Sequence, residues 1–419
     1  MRKIAQAAIV VASISLLATG CSGGGSADPE AEPSETAAVR GDEDLVIWTE
    51  ASRVEYVQTL ADGFAEENGI SVGVQGIVDT RQNFITANAA GNGPDVVAGA
   101  HDWIGQLVQN GAIDPLQLSP SDLEGYLPVA VQATTYDSQL YALPWAVESV
   151  ALYCNTSIAP DTYATIEDVL AATQPAVDSG QIEVPLILQQ GEAGDAYHMQ
   201  PLFTSAGGYV FGRDAEGNYD PSDLGIDKPA SIAAAQKIAA LGTAGDNTIR
   251  TSISPDNYLS LFTEGKAGCM ISGPWSLPDV KTALGDSYSI QPVPGFAGGA
   301  TAQPFMGAQG FMVASEGENK SFAQEFVTNY LNSEESMQQL FDLSGQPPAL
   351  SAVLDGVTDE DVLGFETAVT NAAPMPAIPE MAEVFAPLGL AWAAVISGDD
   401  PVATMTTTQT TIATAIGSD

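Results

Sequence analysis

The chain has 419 residues and carries 53 Asp and Glu against 12 Lys and Arg, a formal net charge of −41. A field of that sign repels a polyanion, so a nucleic-acid partner is excluded. With 45 % hydrophobic and only 16 % charged residues, and five Trp, the chain is too apolar for a disordered acidic tail and long enough for two domains.

Arg2 and Lys3 precede an apolar run over residues 4–17, too short for a comfortable permanent membrane span. Ala18-Thr19-Gly20-Cys21 follows. Small residues directly before a Cys resemble a lipoprotein signal, in which residues 1–20 are cut away and Cys21 is acylated. Ala18 stands where an aliphatic residue is usual. Residues 22–44 are Gly, Ser, Pro and acid with almost nothing apolar, so residues 21–44 read as a flexible acidic tether. An acylated Cys21 on a tether places the folded part on the extracellular face of the membrane, held by lipid. No later stretch reaches eighteen uninterrupted apolar residues, and no further span is expected.

The folded part begins with a β-prone run, Leu45-Val46-Ile47-Trp48. Ser52-Arg53-Val54-Glu55 has the S-x-x-E form of a capping box, and Tyr56, Leu60 and Phe64 continue behind it as one helical stripe. Gly69 is placed to end that helix, and residues 70–74 form the next strand. Strand, helix, strand in thirty residues predicts a βαβ unit and a parallel sheet. The rhythm recurs in Asp95-Val96-Val97-Ala98 with a helix from Trp103 to Gln109, and in a helix marked by Phe322, Phe326, Tyr330 and Leu331. Asp400-Pro401 reads as N-cap and first-turn Pro of the last helix.

Chemistry is conspicuous by what is missing. Outside the signal region there is no G-x-S-x-G elbow, P-loop, H-E-x-x-H or C-x-x-C. His101 and His198 are the only imidazoles, too few with three Cys for a dedicated metal site, and no cofactor is expected. Residues 214–220 lack the order of a calcium loop and read as a polar hairpin turn. A glycosidase needs only two carboxylates, which 53 acids do not exclude.

Five ordered segments then carry a resemblance: DLVIWTEASRVEYVQTLADGFAEENGISVGV, GNGPDVVAGAHDWIGQLVQNGAIDPL, YALPWAVESVALYCN, FTEGKAGCMISGPWSLPDV and MPAIPEMAEVF. Together they resemble the maltose/maltodextrin-binding proteins, extracellular receptors of ATP-driven (ABC) sugar importers. The resemblance implies an α/β fold of two lobes (periplasmic-binding-protein-like, type II) joined by hinge segments, with the ligand cleft between them. Lobe one is placed at residues 45–146 and 311–350, lobe two at 148–305 and 356–419. It implies a monomer that is not an enzyme, an α-glucan oligosaccharide as ligand, and permease subunits with their ATPase as partners. Trehalose or an isomalto-type sugar is the alternative ligand.

The resemblance also implies site residues. Carboxylates grip vicinal hydroxyls and aromatic rings cover the apolar faces of pyranoses. Glu148, Asp102 and Trp275 fall on family sugar-contact positions, and Tyr197, Asp195 and His198 on a stacking and hydrogen-bonding cluster. Phe385 replaces a stacking Trp, and Met375 is placed on the same wall. Glu50 and Arg53 keep polarity and charge where the family has Asn and Lys, and Ser52 replaces an acid. Gly99 stands where the family has a stacking Trp, and Trp103 where it has an Arg. A ring lost and a ring gained at i and i+4 read as a rebuilt platform or a different sugar. Cys154 and Cys269 fall on strands of lobe two, and whether they bond is left open.

Overall fold

The computed structural model describes residues 39–214 and 219–417. Cys21 and the expected tether up to residue 38 lie outside the described residues, as do residues 215–218 of the expected hairpin turn. The expected tether ends sooner than residue 44. The Arg40 guanidinium pairs with the fully buried Asp95 carboxylate at 2.7 Å, and Asp44 accepts from the Ser71 hydroxyl at 2.8 Å. A buried ion pair fixes residues 39–44 onto the folded body.

The principal elements, in chain order, are β1 (Leu45–Thr49), α1 (Val54–Asn68), β2 (Val72–Gly76), α2 (Thr80–Ala89), β3 (Val96–Ala100), β4 (Leu143–Glu148), β5 (Ala151–Asn155), β6 (Val184–Leu188), α3 (Ala196–Ser205), β7 (Ala267–Ser272), β8 (Tyr288–Gln291), β9 (Phe305–Ala314), α4 (Phe385–Ser397) and α5 (Pro401–Ile416). The first βαβ unit forms as read, with β1 parallel to both β2 and β3. The capping box does not. The chain enters α1 through a 3₁₀ turn, Ala51–Arg53, closed by the Arg53 N–H on the Glu50 carbonyl at 2.9 Å. Ser52 lies inside that turn and does not cap α1. The helix around Phe322 is α-helical over Lys320–Glu325 and widens into a π turn over Phe326–Tyr330. Asp400 caps α5 by accepting from the Val402 N–H.

Two sheets organise the chain. In the first, β9 runs antiparallel to β3 and to β4, and its start pairs with the short strand Ala373–Pro374. Alternate residues of β1 face opposite layers, as a strand requires. Leu45 and Ile47 pack with Leu60, Phe64 and Phe326, whereas Val46 and Trp48 pack with Phe84 and Leu107. The second sheet has the order β8-β5-β7-β6, with β5 antiparallel to its neighbours and β7 parallel to β6. Leu152 and Ile271 pack on Phe203 and Trp392 from one face, and Tyr153 and Met270 on Phe262 and Phe365 from the other. The chain passes from the first sheet to the second just after Glu148, and returns between β8 and β9. It passes again between Val353, in the first core, and Phe365, in the second.

Pro379–Ser397 is long and apolar enough to cross a membrane by length and composition. Its apolar residues serve the second core instead, where Trp392 is 1 % exposed and meets Phe203 edge-on at 5.0 Å. Cys154 and Cys269 are cross-strand partners on β5 and β7 and form a disulfide.

Candidate functional site

Parallel strands deliver their C-terminal ends to one side of a sheet, where loops are free to hold a ligand. Here β1 ends at Thr49 and leads into Glu50, Ser52 and Arg53. Likewise β3 ends at Ala100 and leads into a 3₁₀ turn, His101–Trp103. Of these, Glu50, Ser52, Arg53, Ala100 and Trp103 form one wall of a cleft of about 830 Å³. The opposite wall comes from the second sheet's lobe, with Tyr197 on α3 and Pro274 and Trp275 in the turn after β7. Glu148, Gly307, Gln309 and Met375 close it where the chain crosses between sheets.

Trp275 is 38 % exposed, an unusual state for the largest apolar side chain. Its ring lies on Gly273, where an added Cβ would be driven into the ring. Tyr197 stands beside it, ring centroids 6.3 Å apart and tilted by 47°. Trp103 is arranged in the same way on the other wall. Its ring occupies the space that a side chain at Gly99 would need. The exchange of Gly99 and Trp103 against the family pattern therefore places one ring over one glycine.

Polar groups face these rings. The Arg53 Nε donates to Glu50 at 3.1 Å, and its Nη1 donates to the Tyr56 hydroxyl at 3.3 Å and the Gln346 side-chain Oε1 at 3.4 Å. Burial works against the guanidinium charge, but Glu148, Tyr56 and Glu50 outweigh it and hold its pKa above the ordinary value. Glu148 is 8 % exposed, and burial lifts its pKa against the pull of Arg53 and Gln309. Its Oε1 accepts from the Gln309 amide at 2.6 Å, while its buried Oε2 has no partner among the described residues. An unpaired buried carboxylate oxygen is costly, and it is free to accept a hydrogen bond from the cleft.

Seven sequence candidates thus line the cleft: Glu50, Arg53, Trp103, Glu148, Tyr197, Trp275 and Met375. Ser52 lines it too. Four candidates do not. Asp195 caps α3, accepting from the His198 N–H at 2.9 Å, and its second oxygen takes the His198 Nδ1 and the Gln189 amide, both at 2.7 Å. Burial opposes the Asp195 charge, but these bonds and His198 lower its pKa. His198 stands edge-on to Trp275 at 6.0 Å, so the pair supports the aromatic wall from behind. Phe385 meets Phe305 edge-on at 6.4 Å, and Phe305 in turn meets Tyr197 at 6.2 Å, which places Phe385 one layer back. Asp102 is 7 % exposed and faces Arg81 at 3.7 Å. Tyr56, Gln309, Gln346 and Leu343 line the cleft without having been singled out. Only Tyr56 carried a signal, as a ring one turn from Arg53. Among the described residues no group of three His, Cys, Asp or Glu is placed to hold a metal ion.

The model of the bacterial extracellular solute-binding proteins matches residues 59–367, well over half of the chain. The chain belongs to this family. It is 26 % identical to the galactooligosaccharide-binding protein of Bacillus subtilis, over 95 % of this chain and 93 % of that one. It is 29 % identical to the maltotriose-binding protein of Pyrococcus abyssi, over 81 % and 75 %. Among solved structures, that of the Thermus thermophilus maltotriose-binding protein bound with maltotriose superposes with a TM-score of 0.80 at 28 % identity, covering 89 % of this chain and all of the other. The two-lobed α/β fold with its cleft is therefore that of a solute-binding protein.

Two neighbouring groups of this solute-binding protein shift in opposite directions. His101 is fully buried; its Nδ1 accepts from the Ala308 N–H at 3.0 Å, so its Nε2–H donates to the Met375 carbonyl at 2.9 Å. Burial lowers its pKa from 6.5 to about 4. Burial raises Asp102 from 3.8 to about 6, with Arg81 pulling the other way. His101 therefore contributes stability that is present above pH 6.5 and lost as pH falls through about 4. Asp102 does the reverse: it favours the folded state at low pH, and that benefit is lost as pH rises through about 6. Each shift is worth about 3 kcal/mol, so the two largely cancel in the native chain. Asp102→Asn leaves His101 unopposed. Urea unfolding from pH 6.5 to 4 is expected to show the variant losing about 3 kcal/mol more than wild type. Parallel pH curves for the two proteins contradict this assignment.

Proposed function

We propose that the protein captures an α-glucan oligosaccharide of the maltose/maltodextrin type and hands it to the permease of an ABC importer. The carrying observation is the cleft's pairing of a half-exposed Trp275 on one wall with the unpartnered Glu148 Oε2 between the lobes. A flat ring against sugar C–H faces and an acceptor at the hydroxyl rim are the two things a pyranose offers partners for. Residues 45–146 with 311–350 and residues 148–305 with 356–419 act as the two lobes, which close over the sugar by hinge motion. The acylated Cys21 holds the receptor at the membrane, facing outward, as a monomer. The permease reads the closed form, and the separate ATPase drives uptake.

The cleft holds sugar without cutting it. Calorimetry with maltose, maltotriose and maltotetraose is expected to give saturable binding, and prolonged incubation with maltotetraose is expected to yield no shorter product. Trehalose and isomaltose complete the panel, because Gly99 and Trp103 alter the platform. Release of maltose from maltotetraose removes the receptor reading in favour of a glycosidase. Failure of every saccharide to bind removes the carbohydrate altogether.

A further inference from the structure

Residues 372–375 run along the boundary between the two cores. Ala372 packs against the first core, and the Met375 side chain lies in the second. The segment is kept on the start of β9 by the Ala373 and Met375 N–H groups, which donate to the Pro304 and Met306 carbonyls, both at 3.0 Å. There β9 itself changes sides, with Phe305 in the second core and Met306 in the first. Two successive carbonyls of the segment are then held from opposite lobes. The Tyr219 hydroxyl donates to the Pro374 carbonyl at 2.5 Å, and the His101 Nε2–H donates to the Met375 carbonyl at 2.9 Å. Tyr219 stands on the hairpin Phe211–Arg213 with Tyr219–Leu224 and packs against the second core. Arg213 braces it, its guanidinium 4.0 Å from the ring centroid and its Nη2 donating to the hydroxyl at 2.7 Å. His101 follows β3 in the first lobe, and its Nδ1 is held by the Ala308 N–H. Between the two gripped carbonyls lie one planar peptide and the φ and ψ of Met375, the only soft torsions there. Met375 lines the main cleft and also a cavity of about 520 Å³ that Tyr219 shares with Tyr136 and Asp137 of the first lobe.

We infer that Met375 is a pivot of the lobe motion, and that Tyr219 and His101 are positioning residues, each fixing one side of that pivot to its own lobe. The inference rests on the reading of two lobes that close over a ligand, and adds to it what sets the balance between open and closed forms. With both carbonyls held, rotation of one lobe against the other falls on the φ and ψ of Met375. The proline ring already fixes the φ of Pro374. Loss of the Tyr219 hydroxyl frees the Pro374 ψ and the torsions before it, so the unliganded protein samples a wider range of interlobe angles. A ligand that binds the closed form then gathers it from a broader ensemble, and every ligand loses affinity by the same factor.

The test compares wild type, Tyr219→Phe and Ser149→Ala. Tyr219→Phe deletes the hydroxyl and keeps the ring, which lies outside the main cleft. Ser149→Ala removes a buried hydroxyl that donates to the Phe305 carbonyl at 3.1 Å, a bond of the same region but within one lobe. Spin labels on Glu67→Cys and Asp178→Cys, exposed positions on α1 and on the helix Ile166–Asp178 of the second lobe, report the interlobe distance by pulsed electron resonance. Calorimetry with maltose, maltotriose and maltotetraose reports affinity. Tyr219→Phe is expected to broaden the unliganded distance distribution to about twice the wild-type width, and to weaken all three sugars by a common factor of about five. Ser149→Ala is expected to lower the urea midpoint and to keep the wild-type distances and affinities. His101→Leu removes the opposing donor and is expected to broaden the distribution in the same way; its buried site makes that variant costly to stability, and Tyr219→Phe decides the inference without it. A wild-type distribution in Tyr219→Phe overturns the inference, as does a loss that differs from sugar to sugar or an equal broadening in Ser149→Ala. Failure of every sugar to bind wild type removes the carbohydrate reading, while the unliganded distances still decide the pivot. An interlobe distance in wild type that a bound sugar leaves unchanged removes closure, and this inference with it.

Discussion

Trp275→Ala is expected to weaken oligosaccharide binding by about 30- to 150-fold, or roughly 2–3 kcal/mol, while leaving the urea midpoint unchanged. The two halves of that expectation have separate causes. The ring is 38 % exposed, so its removal deletes little packing from the folded protein. In the proposed complex bound sugar covers the same ring, so truncation forfeits the whole buried contact. Trp275→Phe keeps a smaller flat face and is expected to recover part of the loss. Gly273→Ala offers an independent check, since its Cβ drives the ring from its seat without removing it. Its affinity is expected to fall in the same direction as that of Trp275→Ala. Calorimetry on the three variants suffices, and wild-type affinity in Trp275→Ala moves the sugar out of this cleft.

What could be read from the chain followed from how local the determining forces are. The α1 stripe of Tyr56, Leu60 and Phe64 is a period within one helix, and it appeared where the spacing put it. Asp400 and Pro401 were legible for the same reason, because a cap depends on its next few residues. Ser52 and Glu55 met the same local criterion and failed. A 3₁₀ turn, set by the exit of β1 from the sheet, moved the helix start to Val54. Gln309 was silent for a different reason. It joins the cleft only because β9 pairs with β3 and β4 and brings it against Glu148, 161 positions away. Asp195, His198 and Phe385 lie near the cleft as expected, yet behind its surface. Asp195 spends both oxygens on α3 and His198, and Phe305 stands between Phe385 and Tyr197. A single chain carries no sign of which of two adjacent layers faces the solvent.

The largest effect on stability is expected from the Cys154–Cys269 bridge. It closes a loop of 115 residues, and the loss of chain entropy in the unfolded state is worth about 4–5 kcal/mol for a loop of that length. An oxidising compartment outside the cell allows the bond to persist. Cys154→Ala/Cys269→Ala is expected to lower the free energy of unfolding in urea by about 2–5 kcal/mol. Both sulfur positions are buried, at 1 % and 0 % exposure, so a thiol reductant is expected to leave the folded wild type intact and to act only as the chain unfolds. Ligand affinity should respond differently. Cys154 follows Glu148 by six residues and Cys269 precedes Trp275 by six, so the bridge joins the strands that reach both groups. Those strands are already paired over four residues, and β6 holds β7 from its other side. The ladder keeps Trp275 in place without the bond, and the pairing of β4 with β9 holds Glu148 independently, so the double variant, while folded, is expected to bind sugar within about threefold of wild type, well under 1.4 kcal/mol. A large loss of affinity at unchanged stability would reverse the argument, and would make the bridge a device for aiming the site.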